Sequence, residues 1–316
     1  MGFAPTVRIE LPGDLDVNLT SYVRHLRAAN MSPKTVLTYS EAVQQLGSFL
    51  ADRGMPTEVA EIRREHIEAF IENLLGRYRP ATAHNRYRGL QSFFRWLEEE
   101  GEVRETPMIR MKPPRVPETP PDILRLTDLR KLLATCEPGR TLEDRRDAAI
   151  LRFFMDTGAR LAEVAGLRFD PRDPDATDVD LERGLANLVG KGRRPRPVSI
   201  GVKTVRALDR YIRLRSKHPS AGTPWLWLGR KGQFTASGIG QMVRDRGRQA
   251  GLGDAIHPHL FRHSWAHASM SRGMQETDLM RIAGWKSRSM VERYAASTGT
   301  ERALEAQRKV GVGDEI

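Results

Sequence analysis

One cysteine, Cys136, is too few for a disulfide framework or a cysteine-based metal cluster. A lone thiol of this kind reads as a small buried residue. No apolar run approaches the ~18 residues that would cross a bilayer, which excludes a membrane-spanning helix. The first residues, MGFAPTVRIELPGDLD, lack the basic start and apolar stretch of a secretory signal. The expectation is a soluble cytoplasmic protein with no membrane partner. Acidic charge is also short, with 40 Asp+Glu against 51 Lys+Arg. The excess is uneven: residues 1–115 hold 16 basic and 15 acidic side chains, residues 116–316 hold 35 and 25. A bias towards a polyanionic partner therefore belongs to the second half. Arginine outnumbers lysine 42 to 9, which suits bidentate phosphate contacts and is equally explained by a GC-rich genome.

A chain of 316 residues can hold two domains, each with its own core. The boundary is marked by residues 106–121, TPMIRMKPPRVPETPP, whose six prolines cannot propagate a helix. We read 1–105 as an N-terminal helical domain, 106–121 as an extended linker and 122–316 as a second domain. Helical periodicity before the linker gives four helices, near 18–29, 33–53, 61–77 and 80–99. The second opens at Ser32-Pro33, a serine N-cap followed by proline at the first helical position. Residues 76–97 carry Arg77, Arg79, Arg86, Arg88 and Arg95 and no acid. Such a run is ordinarily a solvated face; the lack of acids on a balanced domain moves the reading towards DNA.

After the linker, helices alternate with a different stretch, residues 179–200, punctuated by Gly184, Gly190, Gly192, Pro195 and Pro197. It reads as a small antiparallel sheet with Gly190-Lys191-Gly192-Arg193-Arg194 at a hairpin turn. Residues 183–217 hold eleven Lys/Arg and one acid, Asp209, so Arg193, Arg194 and Arg196 join the candidate DNA-facing set. Helices follow near 202–215, 235–250, 260–272, 276–283 and 287–296. The fold class is mainly α with a small antiparallel β-sheet. Trp225-Leu226-Trp227-Leu228 reads as a buried strand rather than a stacking platform.

Chemistry-bearing residues fall in a fixed order. Arg160 lies in Thr-Gly-Ala-Arg-Leu-Ala-Glu with Glu163 one turn on; His259 and Arg262 lie in His-Pro-His-Leu-Phe-Arg-His. Trp285 follows Ala283-Gly284, and Tyr294 lies in Glu-Arg-Tyr-Ala. Each motif alone is weak, since a helical tyrosine is usually a core residue. In order, behind a basic helical domain and a proline linker, they are specific. The chain resembles the tyrosine recombinase (phage-integrase-type) family over nearly its whole length. The resemblance implies an all-α core-binding domain that clamps DNA, followed by an α+β catalytic domain. It also implies a catalytic set of Arg160, Lys191, His259, Arg262, Trp285 and Tyr294, with Glu163 in support.

In that reading Arg160 and Arg262 bind the non-bridging phosphate oxygens. Tyr294 attacks to give a 3′-phosphotyrosine, and Lys191 protonates the 5′-oxygen. His259 is the candidate base or phosphate contact. Trp285, whose indole N–H donates but cannot shuttle a proton, occupies a position that is often histidine in the family. Fixed cations stand in for a metal, so no metal, cofactor or ATP is called for. His257 and His263 are read as local structure. The partner implied is double-stranded DNA with an inverted-repeat core site. The assembly implied is a homo-tetramer on that DNA, or a tetramer completed by a second recombinase, in the cytoplasm at the nucleoid. The segment after Tyr294, with Ala303, Leu304 and Gln307, packs on a neighbouring protomer or caps its own. From the short stretch before the first helix, no extra arm-site-binding domain is expected. Two other readings stay open: a type IB topoisomerase, and a DNA-binding regulator on the same fold without catalysis.

Overall fold

The computed structural model describes residues 11–117, 121–190, 195–292, 294, 304, 307 and 308. The chain divides near residue 118 into two compact units. The first is all-α: α1 (Leu15–Ala28), α2 (Pro33–Asp52), α3 (Arg64–Arg77) and α4 (Pro80–Glu99). Ser32 accepts the Thr35 N–H at 3.1 Å, so α2 starts where the Ser-Pro pair predicts. Leu15, Leu46, Leu50, Ile67, Leu90, Phe93, Phe94 and Leu97 are fully buried and form the core. They recur at helical spacing along each element, which is why the pattern was legible.

The proline segment, expected as an extended linker, docks on the helical unit in its first half. Met108 is buried in the helical unit's core. The Tyr87 hydroxyl donates to the Met111 carbonyl at 2.7 Å, and the His84 ring donates to the Pro114 carbonyl at 3.1 Å. Proline removes donors but leaves carbonyls exposed, and α4 side chains satisfy two of them.

The second unit contains α5 (Leu126–Ala134), α6 (Leu142–Thr157), α7 (Leu161–Ala165), β1 (Val179–Asp180), β2 (Leu185–Val189) and β3 (Pro195–Ser199). Then come α8 (Val202–Arg215), β4 (Leu228–Gly229), β5 (Gly232–Gln233), α9 (Ala236–Gln249), α10 (Pro258–Ser271) and α11 (Glu276–Ala283). The sheet β1-β2-β3 is antiparallel, with Ala186 opposite Val198 and Leu188 opposite Arg196. The fold is thus mainly α with a small antiparallel sheet, as the periodicity switch predicts.

α6 is the central element: Ala149, Ile150, Leu151, Phe153 and Phe154 are all fully buried, which wraps apolar surface around the helix. Of the Trp225–Leu228 run only Leu228 is in a strand, while Leu226, Trp227 and Leu228 are fully buried. The Trp227 indole N–H donates to the Val164 carbonyl at 2.8 Å, tying this run to α7. Trp285 and Tyr294 belong to a separate small core with Ala266, Met270, Leu279, Ala283 and Val291.

Candidate active site

The site is assembled on two helix ends. α6 stops at Gly158, whose φ of +55° is left-handed. A Cβ there would lie 2.4 Å from the Trp265 ring, so only glycine fits the turn. The turn leaves the Gly158 carbonyl as an acceptor and places Arg160 at the N-cap of α7. α11 ends likewise at Gly284 (φ +63°), which leaves the carbonyls of Ile282, Ala283 and Gly284 unmatched within the helix.

Three arginines satisfy them. Arg196 Nε donates to Ile282 at 2.8 Å, Arg262 Nη2 to Ala283 at 2.6 Å and Arg160 Nη2 to Gly284 at 3.3 Å. Arg262 Nη1 also donates to Gly158 at 2.9 Å. Cations at helix C-termini are favoured by the backbone dipole as well as by these bonds. The two candidate phosphate-binding arginines differ in access: the Arg160 side chain is 42% exposed, whereas Arg262 is 1% exposed. Burial and the neighbouring Arg160 pull Arg262 down to about 10, against the opposing pull of Glu163, so it stays charged at neutral pH.

Glu163 holds this cluster together. Its carboxylate takes both Arg196 Nη atoms at 2.8 Å, the Arg160 backbone N–H at 2.8 Å and Arg160 Nη1 at 2.9 Å. Burial alone would raise its pKa; the hydrogen bonds from Arg196 and Arg160 win and bring it to about 2. Relative to its ordinary 4.5, the folded-state value is depressed. Its stabilising contribution is therefore complete above about pH 4.5, declines as pH falls, and is gone below about 2. The difference corresponds to about 3 kcal/mol. Glu163→Gln should lower the melting temperature of the catalytic unit by about 6–12 °C at neutral pH. Between pH 5 and 3 the variant should lose less stability than wild type, and equal pH sensitivity in the two would contradict the assignment.

α10 supplies the rest. His257 is its N-cap, accepting the Leu260 N–H at 3.3 Å, which accords with a local structural role. His259, Arg262 and His263 share one helix face by their spacing of three and four. His259 is open to solvent, and its imidazole is held below the ordinary range, first by partial loss of water and then by Arg262, His257 and Arg160. Arg262 lies 5.1 Å over the Trp285 ring. Trp285 in turn stacks on Tyr294 at 5.3 Å and 11°. Such a pair contributes about 0.5–1.5 kcal/mol beyond area burial. Tyr294 is 1% exposed. Its hydroxyl is hydrogen-bonded to Nδ1 of His263, the histidine read from sequence as local structure. The signal was available: His263 is four residues beyond His259, hence stacked above it on the same face.

Arg160, Glu163, His259, Arg262, Trp285 and Tyr294 are thus brought together through shared partners. Lys191, Arg193 and Arg194 lie outside the described residues, as does Ala303. Two of the expected DNA-facing arginines are turned inward instead. Arg196 is spent on Glu163 and Ile282, with its side chain 14% exposed. Arg86 is spent on Gln45, the Thr38 carbonyl and Glu41. Both found a nearby acid or carbonyl that a count of local charge does not reveal. Arg77, Arg79, Arg88 and Arg95 are exposed.

Comparison with known proteins identifies the family. The phage integrase family matches residues 122–301, and the phage integrase N-terminal SAM-like domain matches residues 19–101. Tyrosine recombinase XerD of Listeria innocua is 25% identical over 273 residues, covering 85% of this chain and 89% of its own. Tyrosine recombinase XerC of Chromobacterium violaceum is 26% identical over 284 residues, covering 89% and 90%. The crystal structure of XerH site-specific recombinase bound to palindromic difH substrate, a post-cleavage complex, superposes with a TM-score of 0.72 at 18% identity. That match covers 92% of this chain and 83% of that one. With its family match spanning the whole arginine, histidine and tyrosine cluster, the chain belongs to the phage integrase family and is a tyrosine recombinase.

Proposed function

We propose that Tyr294 attacks a DNA phosphodiester, forming a 3′-phosphotyrosine and releasing a 5′-hydroxyl, and that Arg160 and Arg262 stabilise the charge that develops. The observation carrying this reading is the arrangement of the Tyr294 hydroxyl on a histidine, its ring against Trp285, and Trp285 beneath Arg262. Guanidinium groups remain charged at any working pH and match phosphate oxygens in pairs. Arg160 is the more open of the two and meets the phosphate first. Because Tyr294 is covered in the free chain, the DNA-bound state has to uncover its hydroxyl before attack. His259, set among the two arginines, contacts the phosphate; Lys191 protonates the 5′-oxygen. Glu163 orients Arg160 and transfers no proton: with its pKa at about 2 it has none to give at neutral pH and is a poor acceptor. The phosphotyrosine bond retains the phosphodiester energy, so rejoining needs no ATP.

The substrate is a duplex with an inverted-repeat core site. Two half-sites per duplex and two duplexes per exchange require four active sites, hence a tetramer on DNA. The helical unit clamps the duplex through Arg77, Arg79, Arg88 and Arg95. Alanine at any of these four should weaken binding evenly across sequences and reduce the salt slope by about one. Arg86→Ala should instead destabilise the helical unit, which a parallel thermal melt would separate from a binding defect.

The reading is tested by lysing expressing cells in denaturant, recovering protein-linked DNA and sequencing it. Discrete, inverted-repeat sites are expected. Scattered positions would favour the topoisomerase reading, and no linked DNA despite tight native binding would favour a non-catalytic regulator.

A further inference from the structure

Attack by Tyr294 needs an acceptor for the phenolic proton. A base must touch the proton it removes, directly at about 2.6–3.2 Å or through one water. His259 is the sequence's candidate, but its ring meets His263 edge-on, with centroids 4.4 Å apart and planes at 73°. The phenol itself is bonded to His263 Nδ1, with the two rings 5.5 Å apart and tilted by 41°. Position divides the two histidines: His259 sits among Arg262 and Arg160, where a phosphate would lie, and His263 sits one turn on, against the nucleophile.

We propose that His263 Nδ1 takes the phenolic proton of Tyr294 during strand cleavage and returns it during rejoining, an inference that rests on Tyr294 being the nucleophile. In the forward step the Tyr294 O–H bond breaks as an N–H bond forms at His263, giving an imidazolium. The phenolic oxygen forms a bond to phosphorus, and the bond from phosphorus to the 5′-oxygen breaks. That oxygen takes its proton from a different donor, the part assigned to Lys191. In the reverse step the 5′-hydroxyl returns its proton to the Lys191 amine as its oxygen bonds to phosphorus, the bond from phosphorus to the phenolic oxygen breaks, and the imidazolium reprotonates the departing phenolate. Every proton and electron pair is then accounted for without an outside reactant. His263 is thereby a catalytic residue that touches a reacting atom, and His259 is left to the phosphate.

His263→Asn is the informative variant. Its side-chain oxygen falls near the place of Nδ1 and can accept the same hydrogen bond, but it takes no proton at working pH. His263→Ala removes both. The full chain and these variants, with Tyr294→Phe beside them, are assayed in single turnover on a nicked duplex carrying the site recovered from cells. A second duplex has sulfur in place of the 5′-bridging oxygen, because a thiolate leaves without an acid. His263→Asn and His263→Ala should bind within about twofold of wild type while cleaving about 100-fold or more slowly on both duplexes. Recovery of wild-type rate on the sulfur duplex would move His263 to the leaving-group side and overturn the proposal. Wild-type rate in His263→Asn with a slow His263→Ala would reduce the residue to a hydrogen-bonding support, and also overturn it. Adduct formation by Tyr294→Phe would instead refute the nucleophile itself.

Discussion

A Tyr294→Phe variant is expected to bind its DNA site as tightly as wild type and to form no covalent adduct with it. The substitution removes one oxygen and nothing else. The ring keeps its stack on Trp285 and its place among Ala266, Met270 and Leu279. Stability should change by only about 1 kcal/mol, the net worth of the lost hydrogen bond to His263. Cleavage has no such reserve if, as proposed, the hydroxyl is the atom that joins phosphorus. Gel retardation and denaturing electrophoresis on one nicked duplex measure both quantities together. Residual adduct in the variant would mean that another side chain attacks, and weakened binding would mean that the hydroxyl itself contributes to holding the DNA.

The second large effect is expected at Arg262. Lysine keeps a positive charge there but offers a single ammonium in place of a planar fork. Transition-state charge then loses an oriented donor, and single-turnover cleavage should fall about 100- to 1000-fold. Stability should fall as well, because Arg262 bridges the Gly158 and Ala283 carbonyls in a buried setting. Leaving either without a donor costs about 1–3 kcal/mol. Arg160→Lys provides the contrast: its side chain is 42% exposed, so cleavage should fall comparably with little change in melting temperature. A pair of variants alike in both readouts would refute the division between a buried structural arginine and an open one.

Much of this was legible in the sequence for a physical reason. Helices α1 to α4 bury one face each, so apolar spacing marked them, and Ser32-Pro33 placed the start of α2. The order of Arg160, His259, Arg262, Trp285 and Tyr294 pointed to one site because such chemistry needs several cations around one nucleophile. Guanidinium partners were not legible. Glu163 and Arg196 are distant in sequence and meet because β2, which packs on α7, pairs with β3, and Arg196 then reaches the end of α11. Arg86 was hidden in the same way by its partners on α2. Proline density suggested a boundary, yet could not reveal that Met108 and two carbonyls dock on the helical unit. His263 was read as local structure, and its four-residue offset from His259, which puts it on the same helix face, was not used to link it to Tyr294.

The most direct test of the central claim is to digest the DNA-linked protein trapped from cells and map the nucleotide-bearing peptide by mass spectrometry. The account requires a single modified residue, Tyr294, carrying a 3′-linked nucleotide. A nucleotide on any other residue, or a 5′ linkage at Tyr294, would contradict it.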